Sequence, residues 1–246
     1  GHLVPPRTFV IDVGVRDELS RVRRVADDFD MGEVGRVMNR RPVNDAVVRH
    51  WQEKGSGRPT VVFCSTVEHA SGVRDAFTDA GVSAAVVTGE MSDGERRAAL
   101  AAYAAGTVRV IVNVAVLTEG WDHPPTSCVV LLRPSSCKST MIQMIGRGLR
   151  WVDPQEYPGV VKSDCLALDF GTSTLMHGSL EQDVDLDDTA GDGDAPTKTC
   201  PACDAVVPLG VTECPLCGHV WERQGVAAEP IGDFAMSEID LLLRSS

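Results

Sequence analysis

From residue 59 onward, short apolar runs alternate with longer stretches of helical period. The runs fall at 60–64, 83–87, 108–113, 127–132 and 165–170, and the helical stretches between them at 67–80, 92–105 and 139–150. Strand and helix in strict alternation predict an α/β fold built on a parallel sheet flanked by helices. The helix over 92–105 opens with Ser92, Asp93 and Glu95, a capping residue followed by first-turn acids. Ahead of this region, residues 8–13 are apolar and β-rich, and 17–51 carry helix-period segments such as 43–51. We read residues 1–58 as a lead-in strand and helices, and 59–180 as the α/β domain.

The pattern breaks after residue 180. Seven of the fourteen residues in 181–194 are acidic, none is basic, and Gly191 and Gly193 add backbone freedom. Such a segment buries too little to fold, so 181–197 reads as a solvated linker. A compact cysteine module follows at 198–222, and a tail at 223–246 with one weak amphipathic stretch ending in residues 239–243.

Charge follows the same division. The net charge of −12 argues against a nucleic-acid partner until its distribution is read: residues 181–246 hold 14 acidic and 3 basic residues, whereas 1–180 hold 21 and 20. The acidity belongs to the linker and tail. No apolar run approaches the roughly 20 residues needed to span a bilayer, so no membrane partner is expected. The chain begins at Gly1 without a signal-peptide pattern, which reads as a processed chain or an excised fragment. Eight cysteines without a secretory signal point to a reducing compartment, the cytoplasm by default.

Four of those cysteines form two C-x-x-C pairs, Cys200/Cys203 and Cys214/Cys217, separated by ten residues. Each pair can grip one tetrahedral ion from a tight turn, and four thiolates leave no open coordination position, so a closed structural Zn²⁺ site is expected. A redox role would need only one pair, and the short segment has no core of its own. The module has few basic residues, so a scaffold or protein-contact role is at least as fitting as nucleic-acid binding. Cys64, Cys128, Cys137 and Cys165 stand singly and read as packing residues.

The segment most informative about chemistry is Gln143-Met144-Ile145-Gly146-Arg147-Gly148-Leu149-Arg150. On a helix, Arg147 and Arg150 share a face, and two always-charged planar guanidiniums side by side can clamp a polyphosphate. A surface helix whose final arginines merely offset its dipole would give the same pair. The segments ahead of it decide the matter.

With Gln143, Gly146, Arg147 and Arg150, the chain resembles the superfamily 2 helicases, whose second RecA-like domain ends in Q-x-x-G-R-x-x-R. Residues 108–113 followed by Val114 to Asp122 resemble that family's motif V, with Gly120 and Asp122 at the matching positions beside the nucleotide. Asn113 stands where many members carry threonine. Residues 61–66 resemble motif IV, and Val87-Thr88-Gly89 the later backbone-binding turn. The resemblance covers about 60–171 and implies a RecA-like helicase C-terminal domain. It assigns catalytic contacts to Arg147 and Arg150, with Arg150 as the arginine finger, and nucleotide contacts to Gln143, Gly146, Gly120 and Asp122. Nucleic-acid contacts fall to Ser65, Thr66, Thr88, Gly89 and Asn113, although taken alone a helix cap suits Ser65 or Thr66 better. Trp51, the Thr118-Glu119-Gly120-Trp121-Asp122 run, residues 166–170 with Met176-His177-Gly178 after them, and the cysteine module resemble more narrowly the bacterial RadD-type DEAD/DEAH-box helicases.

A complete motor also needs a glycine-rich loop ending in Gly-Lys-Ser/Thr and an acidic Mg²⁺ site. Lysine occurs only at Lys54, Lys138, Lys162 and Lys198, none of them preceded by glycine. Phe9-Val10-Ile11-Asp12 imitates an apolar strand ending in aspartate, but without that loop it reads as a plain strand. The resemblance therefore implies a partner, the N-terminal RecA-like domain of the same protein, which binds most of the ATP and Mg²⁺; alone, this chain should not hydrolyse ATP. DNA is the expected polymer, with RNA left open. The alternative is a non-catalytic, zinc-containing adaptor that binds nucleic acid or protein.

Overall fold

The structure is a computed structural model; it describes residues 3–26, 28–117, 120–171, 173, 177, 197–199, 201–202, 206–208 and 236–239. Two units emerge, one of residues 1–180 and 234–246, the other of residues 181–233.

The first unit opens with β1 (Pro6–Ile11), a short helix α1 (Arg16–Leu19), and a hairpin of β2 (Arg24–Val25) and β3 (Asp28–Phe29). Helices α2 (Met31–Met38) and α3 (Arg41–Lys54) follow. Then come β4 (Thr60–Phe63), α4 (Val67–Asp79), β5 (Ala84–Val87), α5 (Asp93–Ala104) and β6 (Val110–Asn113). The series closes with β7 (Cys128–Leu131), α6 (Lys138–Leu149) and β8 (Cys165–Asp169). In the second unit β9 (Thr197–Thr199) pairs antiparallel with β10 (Val206–Pro208), and the first unit takes its last strand, β11 (Met236–Ile239), from the tail.

The sheet runs β11-β1-β8-β7-β4-β6-β5. Six strands are parallel and β11 joins the β1 edge antiparallel, so the expected parallel α/β architecture is the one observed. Every residue of β4, β6, β7 and β8 is buried, because helices cover both faces. That double coverage explains why these strands read as unbroken apolar runs rather than as alternating ones. Successive residues feed opposite cores. Val62, Val112, Val130 and Leu168 join one with Trp51 and Phe77, while Val61, Ile111, Val129 and Ala167 join the other with Met141, Met144 and Tyr103. Trp51 is pinned by donating its indole N–H to Thr60 Oγ1 at 2.8 Å and by edge contact with Phe77.

Helix starts follow their caps. Thr66 Oγ1 accepts the His69 N–H to open α4, and Ser92 and Glu95 form a reciprocal capping box on α5. Residues 6–54 belong to the same unit as the later α/β alternation: β1 lies between β8 and β11, and α3 contributes Trp51 to the core. In the tail, the weak amphipathic stretch contains a strand, β11, whose partner β1 lies more than 220 residues earlier and leaves no local trace.

Candidate nucleotide and nucleic-acid interfaces

Helix α6 seats directly on the sheet because residue 148 is glycine. A Cβ there would come within 2.3 Å of Cys165 Sγ and 2.7 Å of Val129 Cγ2. Met141, Met144 and Ile145 are buried on the side facing the core, whereas Gln143 is exposed and Gly146 has open space above it.

From this helix Arg147 donates through Nη1 to the carbonyl of Trp121 at 2.6 Å. Arg150 is not on the helix, as its spacing from Arg147 predicted. The helix ends at Leu149, whose carbonyl accepts the Val4 N–H at 2.8 Å, and Arg150 turns extended (φ −62°, ψ 132°) to bridge Leu3. This N-terminal backbone competes for the end of α6 and pulls Arg150 out of helical geometry. The two guanidiniums nevertheless converge, because a loop comes to meet them: Arg150 Nε lies 3.0 Å from Asp122 Oδ1, one residue beyond the carbonyl that Arg147 holds. Both partners of that ion pair are about half exposed, at 50% and 47%.

The loop carrying Asp122 is rigid for identifiable reasons. It begins at Gly120 with φ +71°, a conformation that favours glycine. The Trp121 ring stacks on His123 at 6.1 Å, Tyr103 lies 4.9 Å from His123, and the Tyr103 hydroxyl meets Thr126 Oγ1 at 2.9 Å. His123 Nδ1 lies 3.2 Å from Thr126 Oγ1 as well. Burial lowers the His123 pKa and raises that of Tyr103, so both rings pack as neutral groups. Lys162 closes the loop from below, donating to the carbonyls of Pro124 and Arg150 at 2.7 Å each. Thr118 and Glu119 lie outside the described residues.

A second group sits at the carboxyl ends of β4, β5 and β6, which are neighbours in the sheet. Here fall Ser65 and Thr66, Thr88 and Gly89, and Asn113. Gly89 is exposed, and Thr88 is buried with its carbonyl accepting from Arg96. Thr66 is occupied as the α4 cap, and Ser65 Oγ lies 3.1 Å from His69 Nδ1. The Asn113 side chain turns inward: it is fully buried, donates to Val62 O at 2.8 Å and accepts from the Leu117 N–H. Instead of reaching a surface phosphate, that side chain braces β6 to β4. The arginine group lies toward the opposite end of the strands, since the last turn of α6 rests on Cys165, the first residue of β8.

Residues 42–152 match the helicase conserved C-terminal domain, and this stretch includes Asp122, Arg147 and Arg150. The putative ATP-dependent helicase IRC3 of Saccharomyces cerevisiae is 29% identical over 187 residues, covering 72% of this chain and 26% of its own. The putative mitochondrial ATP-dependent helicase irc3 of Schizosaccharomyces pombe is 40% identical over 141 residues, covering 57% of this chain and 22% of its own. The chain thus spans about a quarter of the length of these relatives. Among solved structures, the Escherichia coli DEAD-box protein SrmB bound to regulator of ribonuclease activity A overlaps 54% of this chain and 74% of its own, at 23% identity and a TM-score of 0.43.

Beyond the helicase C-terminal domain, residues 198–223 match uncharacterised protein family UPF0547. Cys200, Cys203, Cys214 and Cys217 all lie outside the described residues. Among the described residues no group of three or more histidine, cysteine or acidic side chains is arranged to hold a metal ion. Cys64, Cys128 and Cys165 are buried, and burial raises their thiol pKa values, that of Cys128 to about 12; they serve as packing groups, while Cys137 is exposed. Two features of the site had no sequence signature: the aromatic brace under Asp122, and Lys162, whose partners are backbone carbonyls available in any sequence.

Proposed function

We propose that this chain is the second motor domain of an ATP-dependent DNA helicase or translocase of the RadD type, supplying the arginine finger. The observation that carries this reading is the convergence of Arg147 and Arg150 on the two-residue segment Trp121–Asp122. Two fixed cations held together at an accessible rim can neutralise the charge that develops on a transferring γ-phosphate. A nucleotide held by a first RecA-like domain would offer its phosphate to Arg150 and draw it from Asp122, an exchange favoured by the half exposure of that ion pair. Asp122, once released, is free to accept from the nucleotide. Gly120 and Gly146 adjoin Trp121 and Arg147 in the chain, Gln143 lies one turn earlier on α6, and Gly89, exposed just beyond β5, suits a polymer's phosphates.

The sequence contains no Gly-Lys-Ser/Thr loop, so ATP and Mg²⁺ binding falls mainly to that first domain. Four thiols in two C-x-x-C pairs suit one structural Zn²⁺ in the second unit, where a protein-contact role fits the shortage of basic residues. Zinc content of the purified chain, measured by atomic emission before and after chelation, should be one ion per chain; a metal-free protein with four reactive thiols in this module would refute the site.

The deciding experiment is nucleic-acid-stimulated ATPase of a protein carrying both motor domains, with single-stranded DNA, duplex DNA and RNA as activators. Arg150→Ala should lower kcat by about a thousandfold or more, and the present chain alone should show no turnover. Unchanged kcat in the variant removes the finger assignment, and robust turnover by this chain alone removes the half-motor reading.

A further inference from the structure

Lys162 lies outside the residues that match the helicase domain and outside every contact proposed above, yet it occupies the point where three distant segments meet. Its ammonium donates to Pro124 O in the loop that carries Asp122, and to Arg150 O just past the end of α6, both at 2.7 Å. The lysine comes from a third segment, the loop that leads into β8.

These two carbonyls belong to the two sides of one ion pair. Arg150 supplies the guanidinium, and Pro124 is two residues beyond the Asp122 carboxylate. A single cation therefore fixes both backbones that carry the pair, and its hydrogen bonds go to their carbonyls rather than to the Asp122 carboxylate. It also answers a local need. The last carbonyls of a helix lack partners and carry the negative end of its dipole. Here the Val4 N–H satisfies Leu149 O, and Lys162 satisfies the next carbonyl. Because Arg150 has left helical geometry, nothing within α6 holds its backbone; among the described residues only the Leu3 bridge and Lys162 do so.

We infer that Lys162 is a positioning residue for the arginine finger, clamping the Arg150 backbone to the Asp122 loop so that the guanidinium is presented in one place. The inference rests on the finger reading of Arg150. A loose Arg150 would still bind phosphate in the ground state but would be poorly aimed as charge develops, so the loss should fall on kcat rather than on KM for ATP.

The test uses a protein with both motor domains and compares Lys162→Met, Lys162→Arg, Arg150→Ala and the Lys162→Met/Arg150→Ala double variant in single-turnover and steady-state ATPase. Lys162→Met should lower kcat tenfold or more with KM changed less than threefold, and Lys162→Arg should recover most of the rate. In the Arg150→Ala background, Lys162→Met should change the residual rate by less than twofold, because its effect passes through Arg150. Where Arg150→Ala lowers kcat, a Lys162→Met rate within twofold of wild type, or an equal fold loss in both backgrounds, overturns the inference. A separate readout on the present chain keeps it apart from the finger reading: hydrogen exchange at Arg150 Nε–H, followed by NMR. Faster exchange in Lys162→Met at an unchanged melting temperature supports the clamp even where Arg150→Ala leaves ATPase intact and the finger reading fails. Unchanged exchange removes the clamp.

Discussion

His69 shows how a single side chain sets a condition on the whole fold. It lies in the first turn of α4, fully buried, with Nδ1 3.1 Å from Ser65 Oγ and Nε2 without a hydrogen-bond partner among the described residues. Burial disfavours the imidazolium and lowers its pKa from 6.5 to about 4. Below pH 6.5 the unfolded chain takes up a proton that the folded chain refuses until about pH 4, so stability is complete above that window and is lost as pH falls through it. The loss amounts to about 3 kcal/mol. Burial also lowers the pKa of His50 and His123, which act in the same direction. The melting temperature of the wild type should therefore fall between pH 6.5 and 4.5, and that of His69→Gln should fall less steeply; parallel profiles would show that His69 is not the group responsible. At this scale much of the site was legible. Arg147 and Arg150 were picked out by residue type and spacing and Asp122 by the resemblance to motif V, and the structure brings the three side chains together. The burial of Asn113 was not legible because a buried amide and an exposed one look identical in sequence, and Lys162 was passed over because backbone carbonyls are everywhere.

Among the elements, α6 carries the most consequence. Its close seat on β7 and β8 depends on Gly148, where an added methyl meets Cys165 Sγ and Val129 Cγ2 inside contact distance. Alanine gains about 1 kcal/mol in helix propensity over glycine, but overpacking between buried side chains costs about 1–3 kcal/mol. The clash at two atoms makes packing the larger effect. Gly148→Ala should destabilise the protein by about 1–2 kcal/mol, measured by urea denaturation, and Cys165→Ala in the same chain should recover part of the loss. A stabilised Gly148→Ala protein would mean that the helix can lift without cost. The strand and helix positions were legible to within a few residues because each central strand is covered on both faces and α4 and α5 open at recognisable caps. The end of α6 was not, since it is decided by Leu3 and Val4, about 145 residues away in the chain.

For the whole molecule, the sheet is completed from both ends of the sequence. β8 ends beside Val10 and β11 begins beside Ile11, so the end of β8 and the start of β11 lie on either side of β1. At a strand spacing of about 4.8 Å, these two points are roughly 10 Å apart. Residues 181–233 are thus an insertion in the sequence of the first unit, although the acidic stretch and cysteine pairs read as a linker and module followed by a plain tail. Stopping the chain at residue 180 to discard the cysteine module would also remove β11 and uncover Phe9, Val10 and Ile11 along a bare strand edge, a ready template for another molecule. The shortened protein should self-associate in light scattering, whereas replacing residues 181–233 with a ten-residue Gly/Ser bridge should keep it monomeric.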